Sequence, residues 1–390
     1  MSLLITTLII RILWFVSFAS CYSRSLVDIS NRYVVTLRPN TIIAEHLASV
    51  GRLNDDSYAF DRVSHNFTLG DFRGYAGHFS ETLVAELKKH PDVITVEKDR
   101  VWQLQGLERQ RRSPWGLHSI SHRGGKTGCT YLYESSAGSG TYGYVVDGGI
   151  RATHVDLVGR VTMGYNAVKD RPFKDTDGHG THVASLMCGT LFGVAKKCNL
   201  IAVKVTDAGG GSGAAVVDGY TWAFNDIVSK SRQAKAVINV SISGHSFPAL
   251  DAAIAAAYKQ GVSTVVAAGN ANIDARTVSP ASAKGAIAVA AMNTRRGRAK
   301  TSNYGADVAV FAPGTWVLGA DSSTDGAGAL RSGTSMAAAY VSGLVLYFKG
   351  INDLKDAAVT REYLIKTAVQ GLVKNTAGSP NLLAYNGCGK

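Results

Sequence analysis

Tyr142-Gly143-Tyr144-Val145-Val146 is an unbroken apolar run, and Asp147-Gly148-Gly149-Ile150 follows it at once. Three similar runs, Leu200 to Val205, Ala236 to Val240 and Val262 to Ala267, alternate with stretches of helical character. Short runs rich in Val and Ile mark strands buried on both faces, and the helical stretches between them supply the crossovers of a parallel sheet. The pattern predicts an α/β domain. In open parallel sheets the reactive crevice lies beyond the carboxyl ends of the strands, so the polar residues that directly follow these runs become the candidates.

Asp147 closes the first run. A carboxylate there can orient a histidine, although an Asp before two glycines is also an ordinary turn residue. In Asp177-Gly178-His179-Gly180-Thr181-His182, glycines precede a helical pattern. The spacing of His179 and His182 raises metal binding as a rival, but no Glu or third ligand follows at the spacing of zinc proteases. Ser335, in Gly333-Thr334-Ser335-Met336-Ala337, stands before the apolar run Ala338 to Phe348. At a helix N-terminus, backbone N–H groups favour developing negative charge there, and helix capping is the alternative role. Asn270 follows the run that ends at Ala267, so its amide can point into the same crevice. Together Asp147, His179, Ser335 and Asn270 supply an orienting acid, a base, a nucleophile and an oxyanion donor, the parts of acyl transfer.

Over residues 114–385 these motifs, in the chain order Asp, His, Ser, resemble the subtilisin-type serine proteases, and among them the proteinase K branch. The resemblance implies a serine endopeptidase that works through an acyl-enzyme and needs no cofactor for its chemistry; it allows structural calcium, at no assigned site. It also implies that an extended polypeptide substrate adds as a strand along Thr206 to Gly213, Ser241 to Gly244 and Ala267 to Gly269. The expected substrate contacts are Gly210, Gly211, Ser241, Ile242, Ser243, Ala268 and Gly269. Four places depart from the family pattern. Gly148 lacks the hydroxyl usual after the catalytic Asp, Ala339-Tyr340 replaces a Pro-His pair, Ser243 replaces a glycine of the specificity pocket, and Ala309 replaces a calcium-binding carboxylate. None removes a triad member, so an active hydrolase is expected, with a silent peptide-binding relative as the alternative.

Residues 32–99 read as a compact α+β module, with strands at Tyr33 to Leu37 and Val93 to Glu97 and a helix at Thr82 to His90. Its segments Gly74-Tyr75-Ala76-Gly77-His78-Phe79 and His90-Pro91-Asp92-Val93 resemble the inhibitory propeptide of the same family. Residues 100–114 read as a polar, basic linker containing Arg109-Gln110-Arg111-Arg112, where proteolysis is favoured. An apolar run ending in small residues around Ala19 resembles a secretory signal peptide. The expected layout is a signal peptide at 1–21, an inhibitory propeptide at 22–112 and a peptidase domain at 113–390. A secreted monomer blocked by its own propeptide follows from it.

A hydrophobic share of 46% against 18% charged residues in 390 excludes a disordered chain. The net charge of +12 raises nucleic acid as a partner, but outside Arg109 to Arg112 the basic residues are scattered, without the aromatic-interleaved stripe of a nucleic-acid binder. Past the leader no run reaches about 18 uninterrupted apolar residues, which argues against stable membrane insertion. Removing a leader that holds Cys21 leaves Cys129, Cys188, Cys198 and Cys388, for which three pairings exist in an oxidising compartment. Cys188 with Cys198 across a short turn, and Cys129 with Cys388, is the pairing expected.

Overall fold

The computed structural model describes residues 31–53, 63–100, 106–124, 128–208 and 210–389. The expected signal peptide at 1–21 lies outside them. The chain forms two compact units, Met1–Leu104 and Gln105–Lys390.

In the first unit β1 (Arg32–Leu37), β2 (Val63–Leu69), β3 (Phe72–His78) and β4 (Val93–Lys98) form an antiparallel sheet in the order β2-β3-β1-β4. Alternate residues of β1, Val35 and Leu37, join Leu47 and Val50 of α1 (Ile43–Leu53) and Leu83, Val84 and Leu87 of α2 (Glu81–Leu87) in one core. Ser80 caps α2 by accepting the Leu83 N–H. This helix stops three residues before the expected His90, because a residue that precedes proline is pushed out of helical geometry.

The second unit opens with a correction. The basic stretch read as a linker contains β5 (Leu107–Arg111), paired in register with β6 (Thr130–Glu134) from Leu107↔Glu134 to Arg111↔Thr130. The Arg109 and Arg111 side chains stay exposed while their backbone is paired. Charged side chains are a common way to keep an edge strand from aggregating, so polarity did not mark a loop here.

The rest of the unit runs α3 (Trp115–Ser119), β7 (Tyr142–Asp147), β8 (Val161–Asn166), α4 (His179–Cys188), β9 (Asn199–Lys204), α5 (Gly213–Ser229), β10 (Ala236–Val240), β11 (Gly244–His245), α6 (Pro248–Lys259) and β12 (Ser263–Ala267). Then come β13 (Val278–Ser279), β14 (Ile287–Met292), β15 (Val308–Pro313), β16 (Val317–Ala320), β17 (Gly328–Arg331), α7 (Thr334–Ile351), α8 (Ala357–Thr367), β18 (Val369–Gln370) and β19 (Leu382–Leu383). Nine strands form one sheet in the order β18-β19-β15-β14-β12-β10-β7-β9-β8, parallel except for β18. The α/β expectation holds, and each of the four apolar runs is a strand within one residue of its expected ends.

Period-two alternation sends side chains to two cores. Val145, Leu200, Ala202, Val237 and Val265 pack with α4 and α7, while Tyr144, Val146, Ile201, Val203, Ile238 and Val266 pack with α5 and α6. Burial on both faces explains why these strands read as continuous apolar runs. Helix α7 is buried from Thr334 through Lys349 and passes through the first core.

Cys188 and Cys198, both fully buried, form the expected disulfide. The second expected pair does not form: Cys129 is exposed just before β6, and the Cys388 sulfur lies 3.1 Å from Tyr347 Oη. A crosslink closing so short a loop stabilises by about 3 kcal/mol. Cys188→Ala/Cys198→Ala is therefore expected to lower Tm by roughly 6–12 °C in scanning calorimetry. An unchanged Tm would show that the crosslink contributes nothing.

Candidate active site

The strand order reverses around β7, with β9 and β8 on one side and β10 onward on the other, so a crevice opens at its carboxyl end. Asp147 is the last residue of β7, and its carboxylate is buried. It accepts the Gly148 N–H at 2.8 Å and grips His179 Nδ1 with both oxygens, at 2.9 and 3.0 Å.

His179 opens α4, whose first turn leaves free N–H groups that need partners. Asp177 Oδ1 accepts the His179 N–H at 2.8 Å, and Asp175 accepts the N–H groups of Gly178 at 3.0 Å and Thr181 at 2.8 Å. Burial raises the Asp175 pKa, and its two bonds from Thr181 oppose that shift. Gly180 lets the helix approach β7 closely, since a Cβ there would overlap the Gly149 carbonyl oxygen. Asp147 pulls the His179 pKa above its ordinary 6.5, against the effect of burial.

His182 does not share this site. Its Nε2 faces the carbonyls of Val317 and Ala329, each at 3.2 Å, and burial pushes its pKa down to about 4. It is a neutral core histidine, so the metal-pair reading of His179 and His182 fails.

Ser335 is the second residue of α7, and Gly333 occupies the cap position, so the capping role weighed for this serine is excluded. Its Oγ donates to the Ser241 carbonyl at 2.9 Å. In return Ser241 Oγ donates to the Ser335 carbonyl at 3.1 Å and accepts from Asn239 Nδ2 at 2.9 Å; Asn239 Oδ1 accepts from Ser342 Oγ at 2.8 Å. This buried chain of bonds is complete at every member and joins the end of β10 to α7, which fixes the serine's backbone.

Asn270 follows β12. Its Oδ1 accepts from the Thr334 N–H at 2.9 Å and from Thr334 Oγ1 at 3.2 Å, which turns the amide N–H₂ outward beside the start of α7. The loop that carries it is built on Asn303, a residue the sequence did not single out. Asn303 is buried; its Nδ2 donates to the Ala268 carbonyl at 2.9 Å, and its Oδ1 accepts the N–H groups of Ala271 at 3.0 Å and Ile273 at 3.1 Å. Gly269 sits at φ +100°, and a Cβ there would collide with the Asn303 amide. Lys204 was missed too. Fully buried, it donates to the carbonyls of Gly148 at 2.8 Å and Lys174 at 3.1 Å and to Asp207 Oδ1 at 2.9 Å, holding the turn behind Asp147. A lone Lys inside an apolar run, Val203-Lys204-Val205, was the available signal.

The expected substrate contacts divide. Gly211, Ile242 and Ser243 line a pocket of about 350 Å³ with Val216, Phe247 and Leu250. Ala268 and Gly269 lie outside that lining, beside Asn303, and Ser241 is buried against Ser335. Among the described residues of 206–213 there is no strand, only a bridge between Asp207 and Gly210. Of the other departures from the family pattern, Tyr340 is fully buried, and its ring fills space beside Gly116, where a Cβ would overlap it. Ala309 is buried and its methyl offers a cation no side-chain ligand.

Residues 138–389 match the model of the Subtilase family, and residues 32–105 match that of Peptidase inhibitor I9. Alkaline protease 1 of Aspergillus clavatus is 45% identical over 325 residues, covering 83% of this chain and 80% of that one. Alkaline protease 1 of Emericella nidulans is 41% identical over 378 residues, covering 93% of each. Among solved structures, a cold adapted subtilisin-like serine proteinase matches with a TM-score of 0.65 at 34% identity, over 70% of this chain and 98% of that chain.

Proposed function

This chain belongs to the subtilase family and carries an I9-type inhibitor module ahead of its catalytic unit, and from that premise we propose that Asp147, His179 and Ser335 are its catalytic triad and Asn270 its oxyanion donor. The chain is a serine endopeptidase made as an autoinhibited precursor, its substrates are polypeptides, and catalysis in this family needs no cofactor. The observation that carries the residue assignment is the two-oxygen grip of Asp147 on His179 Nδ1.

That grip leaves Nε2 as the proton acceptor. On substrate binding Ser335 Oγ leaves the Ser241 carbonyl, gives its proton to His179 Nε2 and attacks the scissile carbonyl; bonds of this kind tighten only in the complex. Asn270 Nδ2 and the N-terminal end of α7 receive the developing oxyanion. His179 then protonates the leaving amine, and an acyl-enzyme on Ser335 remains for water to hydrolyse. A fluorophosphonate probe is expected to label Ser335 in the mature chain. Unlabelled, folded mature protein would favour the silent peptide-binding relative.

Asn270→Ala is expected to lower kcat on the order of 10²–10³ with little change in KM, because the donor acts on charge that exists only in the transition state. Steady-state kinetics on a peptide anilide checks it, and an unchanged kcat would remove Asn270 from the site.

The reading extends to a secreted monomer with the layout of signal peptide 1–21, propeptide 22–112 and peptidase 113–390. Arg109 to Arg112 supports cleavage before Ser113, and cleavage there must also free β5 from β6. Among the described residues no helix is long and apolar enough to cross a membrane. For specificity, Ser243 adds a Cβ and hydroxyl where the family has glycine, which favours Ala, Val or Leu over aromatic residues in the pocket. Ser243→Gly is expected to improve cleavage of Phe and Tyr substrates by roughly 10–200-fold in a peptide-library profile. A wild-type profile already dominated by Phe and Tyr would refute this.

A further inference from the structure

In the first unit His46, His90 and Asp92 each offer one potential ligand atom, all within 4.8 Å of one another. His46, on α1, has its side chain wholly buried, and its Nδ1 has no hydrogen-bond partner although it lies 3.4 Å from Asp92 Oδ2. His90 Nδ1 lies 3.7 Å from the same oxygen. The two rings meet edge to face with centroids 4.5 Å apart.

The outward nitrogens are already engaged. His46 Nε2 lies 3.1 Å from Tyr75 Oη, and His90 Nε2 lies 3.0 Å from Ser49 Oγ. Ser49 spends its one proton on the His46 carbonyl at 2.7 Å, so it accepts from His90 Nε2–H. That fixes the His90 tautomer with its lone pair on Nδ1, which accepts a long bond from the Asp92 N–H at 3.3 Å that a cation at Nδ1 would displace. Metal-bound histidines characteristically give their other N–H to an outer partner, which fixes ring and tautomer. Here both rings have one, and both Nδ1 atoms face the carboxylate.

We propose that His46 Nδ1, His90 Nδ1 and Asp92 Oδ2 bind one divalent transition-metal cation of the zinc type. Metal–ligand bonds of about 2.0–2.2 Å in a tetrahedron put neighbouring ligands roughly 3.3–3.6 Å apart; the His46 separation from Asp92 Oδ2, 3.4 Å, falls in this range, and the His90 separation, 3.7 Å, stands just above it. Two imidazoles and one carboxylate suit zinc, cobalt, nickel or copper better than calcium or magnesium, which favour all-oxygen shells. The three groups line a cavity of about 530 Å³ together with Arg38, Asn40 and Glu45, which leaves room for water as a fourth ligand. The cation ties α1 to the turn before β4, and it stabilises the inhibitor module by an amount that rises with the logarithm of its concentration over Kd.

The test is titration of the full-length chain with zinc by calorimetry and with cobalt by visible absorption. One equivalent should bind, with cobalt bands of a tetrahedral nitrogen–oxygen site. His90→Gln and Asp92→Asn should each weaken that equivalent by at least about 10–100-fold, the range that loss of an outer partner alone brings, and Ser49→Ala by about 10-fold. Far-UV circular dichroism checks that each variant is folded. Absence of the equivalent, or equal affinity in His90→Gln and Asp92→Asn, would overturn the site. Neither readout depends on peptidase activity, so the catalytic assignment can fail without touching this one.

Discussion

Ser335→Ala is expected to lower kcat for peptide hydrolysis on the order of 10⁶, and His179→Ala by about as much, the scale known for removal of a nucleophile or base from such a triad in related enzymes. The two act in one proton transfer, so the double variant should be hardly worse than either alone. The fold should survive: the Ser335 hydroxyl makes one bond, to the Ser241 carbonyl, while the serine's backbone is held by Ser241 Oγ and by α7. Single-turnover kinetics on purified, folded variants decides this, and near-wild-type hydrolysis by Ser335→Ala would mean another nucleophile. The same variant addresses maturation. If its precursor is still trimmed to Ser113 in secreting cells, self-cleavage is unnecessary for that cut.

Asp147→Asn is the next largest expected effect, on the order of 10⁴ in kcat, because an amide gripping Nδ1 favours the tautomer that puts the proton on Nε2. The pH profile separates this role from mere packing. In the native protein Asp147 stabilises the imidazolium, so the His179 pKa stands above 6.5, and kcat/KM should fall as pH drops through that raised value. With the carboxylate gone burial dominates, and the acid limb should move below 6.5. Stability runs the other way: the pair's contribution is full below 6.5 and is lost as pH rises through the raised folded value. An acid limb that stays in place in Asp147→Asn would sever Asp147 from His179.

Much of the proposed site was legible because its residues follow strand ends and helix starts, which are locally written. Asp147 and Asn270 follow apolar runs, and His179 and Ser335 open helices behind glycines. Their helpers were not legible. Asn303 reaches back more than thirty residues to hold the Asn270 loop, Lys204 anchors the turn behind Asp147, and Asn239 couples β10 to α7 across about a hundred residues. Asn303 is an ordinary polar residue in sequence, and Lys204 and Asn239 stand out only as polar residues inside apolar runs, which does not say what they hold.

The sequence by itself determined the α/β class and four strands of the parallel sheet, and it pointed to the four residues of the proposed site, since two-sided burial demands continuous apolar strands and the candidates stand directly after strands or at helix starts. Only the tertiary structure decided that Arg109 and Arg111 lie in a paired strand, that Cys388 turns to Tyr347 instead of joining Cys129, and that Gly333 rather than Ser335 ends the helix cap. It alone brought His46 of α1 against His90 and Asp92. Strand and helix periodicity is a property of neighbours along the chain. Pairing of a backbone edge, a thiol or an imidazole depends on which donor or acceptor the packed cores carry to within about 3 Å, and chain composition does not encode that distance.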